Sequence, residues 1–488
     1  MENEANITTI KQPIVIPIFF MTEMWERFGF YVVQGLLVLY MTSTVFGFSD
    51  SKSYAILGAV TALSYIMPLL GGYAASRILD FEHAVTLGGA LLAAGYAMLA
   101  IPDKHLFFIA LAIITVGTGL FKPSISSYLG SFYQPNAPHR EKGYTLFYVG
   151  INAGILLSTA TSGYMARYYG WHMPFMVASV SLLLGTFSFI FGLEFIKRSG
   201  NFQRIAPSVA SKKPLAILCV YLGVIVAAAI AYEIIQHKTL ANMIMLWGGF
   251  ILFSALIIYA FKYVKETRNR ILACVFLTMI SVVFWAIYFQ MFFSMSLFIE
   301  RAINRNFLSF HLPAPLFVSS ESIFLILMGP FLGALWQKLS LKNKNISLPM
   351  KFSLSLFCLF VAFLVAYLST KFTDPNGQSD KIYIMIAYLF IALGELLLSP
   401  IGLAMVTVLV PAEMVGFMMG VFFCSLGFGA KLAGAIAGYA AIPKTIHSLS
   451  QMQIIYGDAF MKFLCISLFI AIISLIAVPF LKRLIGKN

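Results

Sequence analysis

Charged side chains are scarce in this chain. Only 11% of its 488 residues are Asp, Glu, Lys or Arg, against 60% hydrophobic residues, and the mean hydropathy is +0.88. A soluble chain of this length could not hide so much apolar surface, so the composition implies an integral membrane protein. Short segments of alternating hydrophobicity are missing, which excludes an outer-membrane β-barrel. The five cysteines are scattered without metal-ligand spacing and read as small buried hydrophobes. No phosphate loop, zinc-type His/Glu pairing or nucleophile elbow occurs, so neither an enzyme nor a bound metal or organic cofactor is expected. A cleavable signal peptide is not visible either. The first apolar run carries ionisable residues and is expected to stay as a helix.

Long apolar runs are what the chain has instead. They fall near 14–42, 53–77, 83–101, 105–132, 143–167, 172–195, 214–235, 241–262, 271–298, 315–339, 348–370, 381–408, 413–437 and 459–482. About fourteen transmembrane helices are predicted. The fold class is therefore all-α integral membrane. Six helices, a basic linker, two helices, a second basic linker and six more helices is the layout of a major facilitator fold with two extra helices inserted. The expected division is 14–195, 196–270 and 271–482, with a substrate site at mid-membrane between the halves. The inserted pair has almost no charge and reads as a peripheral packing element.

The net charge of +14 is not a nucleic-acid footprint, because it is gathered at loops. Lys197, Arg198, Arg204, Lys212 and Lys213 form one cluster, and Lys262, Lys265, Arg268 and Arg270 another. Lys338, Lys342, Lys344 and Lys351 form a third, and Lys482, Arg483 and Lys487 a fourth. With fourteen helices all four fall on the side of the N-terminus. The positive-inside rule then puts both termini in the cytoplasm of a plasma (bacterial inner) membrane.

Ionisable residues at membrane depth are costly and mark function. Glu23, Glu26 and Arg27 lie inside the first apolar run, and with Phe30 and Gln34 they occupy one helical face. A carboxylate beside a fixed cation stays ionised until a proton or a competing charge rearranges the pair, so the cluster is a candidate proton sensor. A static ion network is the competing reading.

Six segments in order bring a family into view. "EMWERFGFY" (23–31), "GTGLFKPSISSYLG" (117–130), "GYTLFYVGINAG" (143–154), "VFWAIYFQ" (283–290), "GELLLSPIGLAMV" (394–406) and "GFMMGVFF" (416–423) resemble motifs of the proton-dependent oligopeptide transporters. The resemblance implies a symporter of small peptides driven by protons, which are its coupling ion, working by alternating access. It implies that Glu23, Glu26, Arg27, Lys122 and Glu395 couple protonation to movement. Lys122 is implied to face the first-helix cluster, and Glu395 to receive the peptide amino group. Phe30, Tyr31, Gln34, Tyr65, Tyr148, Asn152, Trp285, Gln290, Ser399 and Phe422 match pocket positions. From the residues alone the tyrosines and Trp285 read equally as packing aromatics, whereas the Asn152 amide needs a partner in hydrocarbon.

Departures from the family pattern bear on selectivity. Gln34 stands where the family usually has Arg, and Phe289 where it has Glu, so both halves of an outer-gate ion pair are missing together and no orphan charge remains. Glu321 stands where the eighth helix usually offers Asn, making the C-terminal part of the pocket more acidic. Phe30 and Phe422 replace a Tyr and a Trp, and Ser76 replaces an Asp beside the retained Arg77. Two alternatives stay open: a symporter of the same family re-tuned to a cationic amine or amino-acid derivative, and a receptor or scaffold that no longer transports. Five charges held in the membrane argue against the scaffold.

Overall fold

Hydrocarbon offers backbone amides no water, so runs of this length bury themselves as helices. A computed structural model of the chain describes residues 13–134, 140–198, 214–342 and 344–486. Arg204, Lys212, Lys213 and Lys487 of the basic clusters lie outside the described residues. In chain order the helices are α1 (Ile16–Thr42), α2 (Asp50–Ala74), α3 (Phe81–Leu99), α4 (Lys104–Gly130), α5 (Arg140–Tyr169), α6 (His172–Arg198), α7 (Pro214–Gln236) and α8 (Lys238–Ala260). They continue as α9 (Lys265–Tyr288), α10 (Ser294–Ala302), α11 (Ala314–Leu341), α12 (Leu348–Ser369), α13 (Lys381–Leu409), α14 (Ala412–Ile436) and α15 (Leu449–Ile485). A π-helical turn, Ala75–Leu79, extends α2, and Asp80 at φ +67° turns the chain into α3.

Twelve spans among the described residues are long and apolar enough to cross a membrane. Helix α1, with its three charges, and α3 bring the long helices to fourteen; α10 is a short continuation of α9 after a 3-10 turn, Phe289–Met291. Local signals set several starts. Asp103 caps α4 by accepting from the His105 and Leu106 amides at 2.9 and 2.8 Å, and Asp380 caps α13 through the Ile382 amide at 2.8 Å. Two-residue strands tie down the loops: β1 (Ile303–Asn304) runs parallel to β4 (Ser379–Asp380), and β2 (Asn306–Phe307) antiparallel to β3 (Phe310–His311).

The helices differ most from the sequence expectation where polar turns project beyond the apolar stretch. Helix α15 starts at Leu449, so part of the expected loop 441–458 is helical, and α9 starts at Lys265. Hydropathy registers only the apolar portion of such a helix, whereas the hydrogen-bond ladder runs on into water.

Two compact units emerge. The first comprises residues up to Val32, Met67–Ser158 and His172–Ile230; the second comprises Val33–Ile66, Thr159–Trp171 and Ala231 onward. In the first, α3 packs on α4 and α6, and Ile217, Val220 and Val224 of α7 rest on Ala75, Leu79, Ala84 and Leu120. In the second, α12 packs on α13 and α15, α14 on α9, and α8 on α9 and α14. Helix α7 buries only 6% of its most apolar stretch, which fits a helix facing lipid.

Candidate functional site

In the first unit, α1 turns Glu23, Glu26, Arg27 and Phe30 inward, and all four are buried. Arg27 Nε lies 2.9 Å from Glu23 Oε1, and Arg27 Nη2 pairs with the Glu26 carboxylate. Lys122, from α4, acts electrostatically on Glu23, Glu26 and Arg27. Its Nζ sits 5.6 Å from the centre of the Phe30 ring, on which the Arg27 guanidinium also rests at 5.3 Å. Two carboxylates and two cations balance, as a set held largely out of water must if it is to stay charged, with Lys122 the one half-buried member. Glu23 Oε2 is buried and receives no hydrogen bond, which leaves an oxygen that can take a proton while Oε1 keeps Arg27.

Close helix approach holds this set together. A Cβ at Gly154 would lie 2.3 Å from the Met24 carbonyl oxygen and 2.8 Å from Arg27 Cβ, so only glycine lets α5 close on α1 beside the cluster. A Cβ at Gly119 would meet Met67 Cβ at 2.7 Å, which presses α4 on α2 one turn before Lys122. Tyr96 of α3, fully buried with an unbonded hydroxyl, lies within electrostatic reach of Glu26 and Arg27. Sequence reasoning missed it, because a tyrosine inside an apolar helix carries no local signal of what it faces.

The other pocket candidates of this unit are less enclosed. Tyr31 packs edge-on against Phe30 at 5.4 Å between ring centres. Tyr148 is 60% exposed, and Asn152 donates its amide to the Tyr148 carbonyl at 2.9 Å within α5.

In the second unit, Glu321 on α11 and Glu395 on α13 meet in hydrogen-bonding contact, and the Tyr288 hydroxyl at the end of α9 reaches both. Glu321 is 4% exposed, so it is not directed at lipid headgroups, and Ser322 Oγ donates to its Oε2 at 3.3 Å. Ser399, half-buried, follows one turn after Glu395. Trp285 is buried in an aromatic cluster, edge-to-face with Phe284 at 5.2 Å and with Tyr288 at 5.1 Å between ring centres. Tyr65 lies 6.0 Å from the Phe289 ring, and Phe422 closes over Gly402. Gln290 spends its amide inside the protein: Nε2 donates to the Ala286 and Ala433 carbonyls, and Oε1 accepts from Ser294 at 2.7 Å. That triple bond set pins the break between α9 and α10.

The end of this unit away from the chain termini is closed by contacts that sequence reasoning did not find. Arg301 of α10 grips Asp50, at the start of α2, through two bonds of 2.6 and 2.8 Å. Asp50 also accepts from the Ile442 amide at 2.9 Å, and Arg301 reaches the Tyr456 hydroxyl at 3.4 Å. Gln34, where the expected Arg is missing, accepts from Thr61 at 3.2 Å, and Thr159 bonds Ser319 at 2.7 Å. Asp50 and Arg301 are 251 positions apart, and no local pattern links them. Near them opens a cavity of about 530 Å³, lined in part by Arg167, Trp171, Arg305 and His311. Burial, with Arg305 and then Arg167 nearby, holds the His311 imidazole below its ordinary range. Neither the Glu23 cluster nor the Glu321–Glu395 pair lines this cavity.

Among the described residues, fourteen long helices, twelve of them apolar enough to cross a membrane, carry charge-balanced groups in their interior and define a multi-pass membrane transporter, not an enzyme. The chain belongs to the POT family, whose family model matches residues 82–454. It is 32% identical over 490 residues to a dipeptide and tripeptide permease B of Xenorhabdus bovienii (strain SS-2004), covering 100% of this chain and 99% of that one. A permease of the same name from Shigella dysenteriae serotype 1 (strain Sd197) is also 32% identical, with the same coverage. The fold is the major facilitator fold. A crystal structure of peptide transporter POT in complex with sulfate matches with a TM-score of 0.83 and 27% identity over 97% of this chain and 96% of that one. A mutant peptide transporter POT in complex with alafosfalin matches with a TM-score of 0.84, at 27% identity over 98% and 97%.

Proposed function

We propose that this chain is a proton-coupled symporter that imports di- and tripeptides by alternating access, in the bacterial inner membrane, with both termini in the cytoplasm. The observation that carries the reading is the charge-balanced cluster of buried Glu23, Glu26 and Arg27 with half-buried Lys122, in a chain similar over its whole length to dipeptide and tripeptide permeases. Protonation of Glu23 or Glu26 leaves Arg27 and Lys122 with one anion fewer, and the anionic end of a substrate restores the balance. That exchange ties proton to cargo without any bound cofactor. Residues 14–195 and 271–482 are the two halves that move, and 196–270 carries the peripheral helix pair. Tyr31, Tyr65, Tyr148, Asn152, Trp285, Ser399 and Phe422, with Phe30 and Gln34, line the substrate path, and Glu395 takes the peptide's amino group.

A second reading, a cationic solute in place of peptides, draws on Glu321 and on Gln34 in place of Arg. Proteoliposomes with an imposed pH gradient decide between the two. Dialanine and trialanine accumulation that collapses with a protonophore supports the first. Accumulation of a cationic amine without peptide competition supports the second, and no accumulation of either sinks both.

A further inference from the structure

The Glu321–Glu395 contact has a requirement of its own. Ionised carboxylates only accept hydrogen bonds, so a hydrogen bond between two carboxyl groups needs a proton on one of them. Glu321 is buried. Its Oε1, like Oε2 of Glu395, is buried and receives no hydrogen bond from any conventional donor. Among the described residues, the groups recorded against the pair are neutral hydroxyls: that of Tyr288 from helix α9, that of Tyr388 from α13 and that of Ser322 from α11 itself. Among the described residues no Lys or Arg forms an ion pair with either acid. Two full negative charges in contact without a cation, one on a buried side chain and the other on a half-buried one, would repel by several kcal/mol even at an effective dielectric of about 20. The Glu23–Glu26 set differs on this point, since Arg27 and Lys122 neutralise it.

We propose that Glu321 and Glu395 hold one proton between them, as a second proton site separate from the first-helix cluster, and that a cationic group entering the pair releases that proton. In the resting site one carboxyl is protonated and donates to the other, for a net charge of −1. When an ammonium group arrives, its N–H donors replace the shared proton and both carboxylates bind the cation. The proton passes to water, so charge and protons balance across the exchange. This deepens the proposed peptide pocket, because a free amino terminus is the natural displacing cation. The pair itself stands whether or not the cargo is a peptide.

The experiment has two arms on the full-length protein in nanodiscs. Infrared difference spectra of the ligand-free protein at pH 7 read the carbonyl stretch of protonated carboxyls. Glu321→Gln and Glu395→Gln should each lose the same band, worth one carboxyl, and the double variant should lose no more than either alone, the mark of a shared proton. Thermal melting of each variant first verifies that it is folded, and the two amide variants serve as independent probes. Losses that add in the double variant, or no loss in either single variant, overturn the proposal. In the second arm, dialanine is added to weakly buffered protein carrying a pH indicator. Wild type should release up to one proton per chain more than Glu321→Gln; binding with equal proton release in both overturns the displacement step. Absence of any dialanine binding counts against the peptide reading alone, since the infrared arm tests the pair without a ligand.

Discussion

Asp50→Asn should open the end of the second unit away from the termini. The substitution keeps the oxygen that accepts from the Ile442 amide but removes the charge that Arg301 grips at 2.6 and 2.8 Å. Breaking one side of a buried ion pair costs about 3–5 kcal/mol. Arg301 keeps 26% of its side chain exposed and Asp50 only 5%, so water returns part of the loss, leaving about 2 kcal/mol. That energy is present only while this end is closed, so the closed-to-open ratio should fall by about 30-fold. Thr159 is the reporter, being fully buried and bonded to Ser319 at 2.7 Å. In a background with the native cysteines replaced, Thr159→Cys is labelled by a membrane-impermeant thiol reagent. Labelling should accelerate by about 30-fold in both Asp50→Asn and Arg301→Gln, and the two together should give little more, because they break the same pair. Labelling at the parent rate in both variants would refute the idea that this ion pair holds the end shut.

Glu23→Gln and Glu26→Gln should each abolish accumulation driven by a pH gradient while leaving counterflow exchange measurable; unchanged accumulation in both would remove the cluster from coupling. Lys122→Ala strips the cluster of one of its two cations, so its uptake rate should fall by at least tenfold, and a wild-type rate would show that Lys122 takes no part in the cycle. Glu321→Asn should weaken the preference for basic or amidated substrates over acidic ones, read as a change in competition constants, and identical selectivity in the two proteins would take Glu321 out of recognition. His311 should make the fold more sensitive to acid. Its folded-state imidazole titrates below the unfolded value of about 6.5, so the unfolded chain binds the proton first and stability falls as pH drops through that range. His311→Gln should therefore lose less thermal stability than wild type between pH 7 and about pH 5, and an equal loss would contradict this.

Much of the architecture was legible in the chain itself. Hydrophobicity is summed along a continuous stretch, so fourteen membrane helices declare themselves locally. The Glu23–Glu26–Arg27–Phe30 face follows from helical spacing alone. Helix ends were less legible at α15 and α9, where polar turns continue the hydrogen-bond ladder past the apolar run. Gln290 looked like a pocket residue from its motif, yet three bonds to its own neighbourhood engage its side chain.

Which charges meet was decided by tertiary structure. Lys122 joins the α1 cluster from α4, where Gly119 lets α4 press on α2, Gly154 lets α5 press on α1 beside the cluster, and Tyr96 reaches it from α3. Asp50 finds Arg301 across 251 positions, and Glu321 finds Glu395 instead of a cation. Sequence spacing along one helix determines which residues share a face, because the 3.6-residue period is built into the backbone. Which faces pack together depends on long-range fit between helices, and in this chain that fit sets one acid against an arginine and another against a second acid.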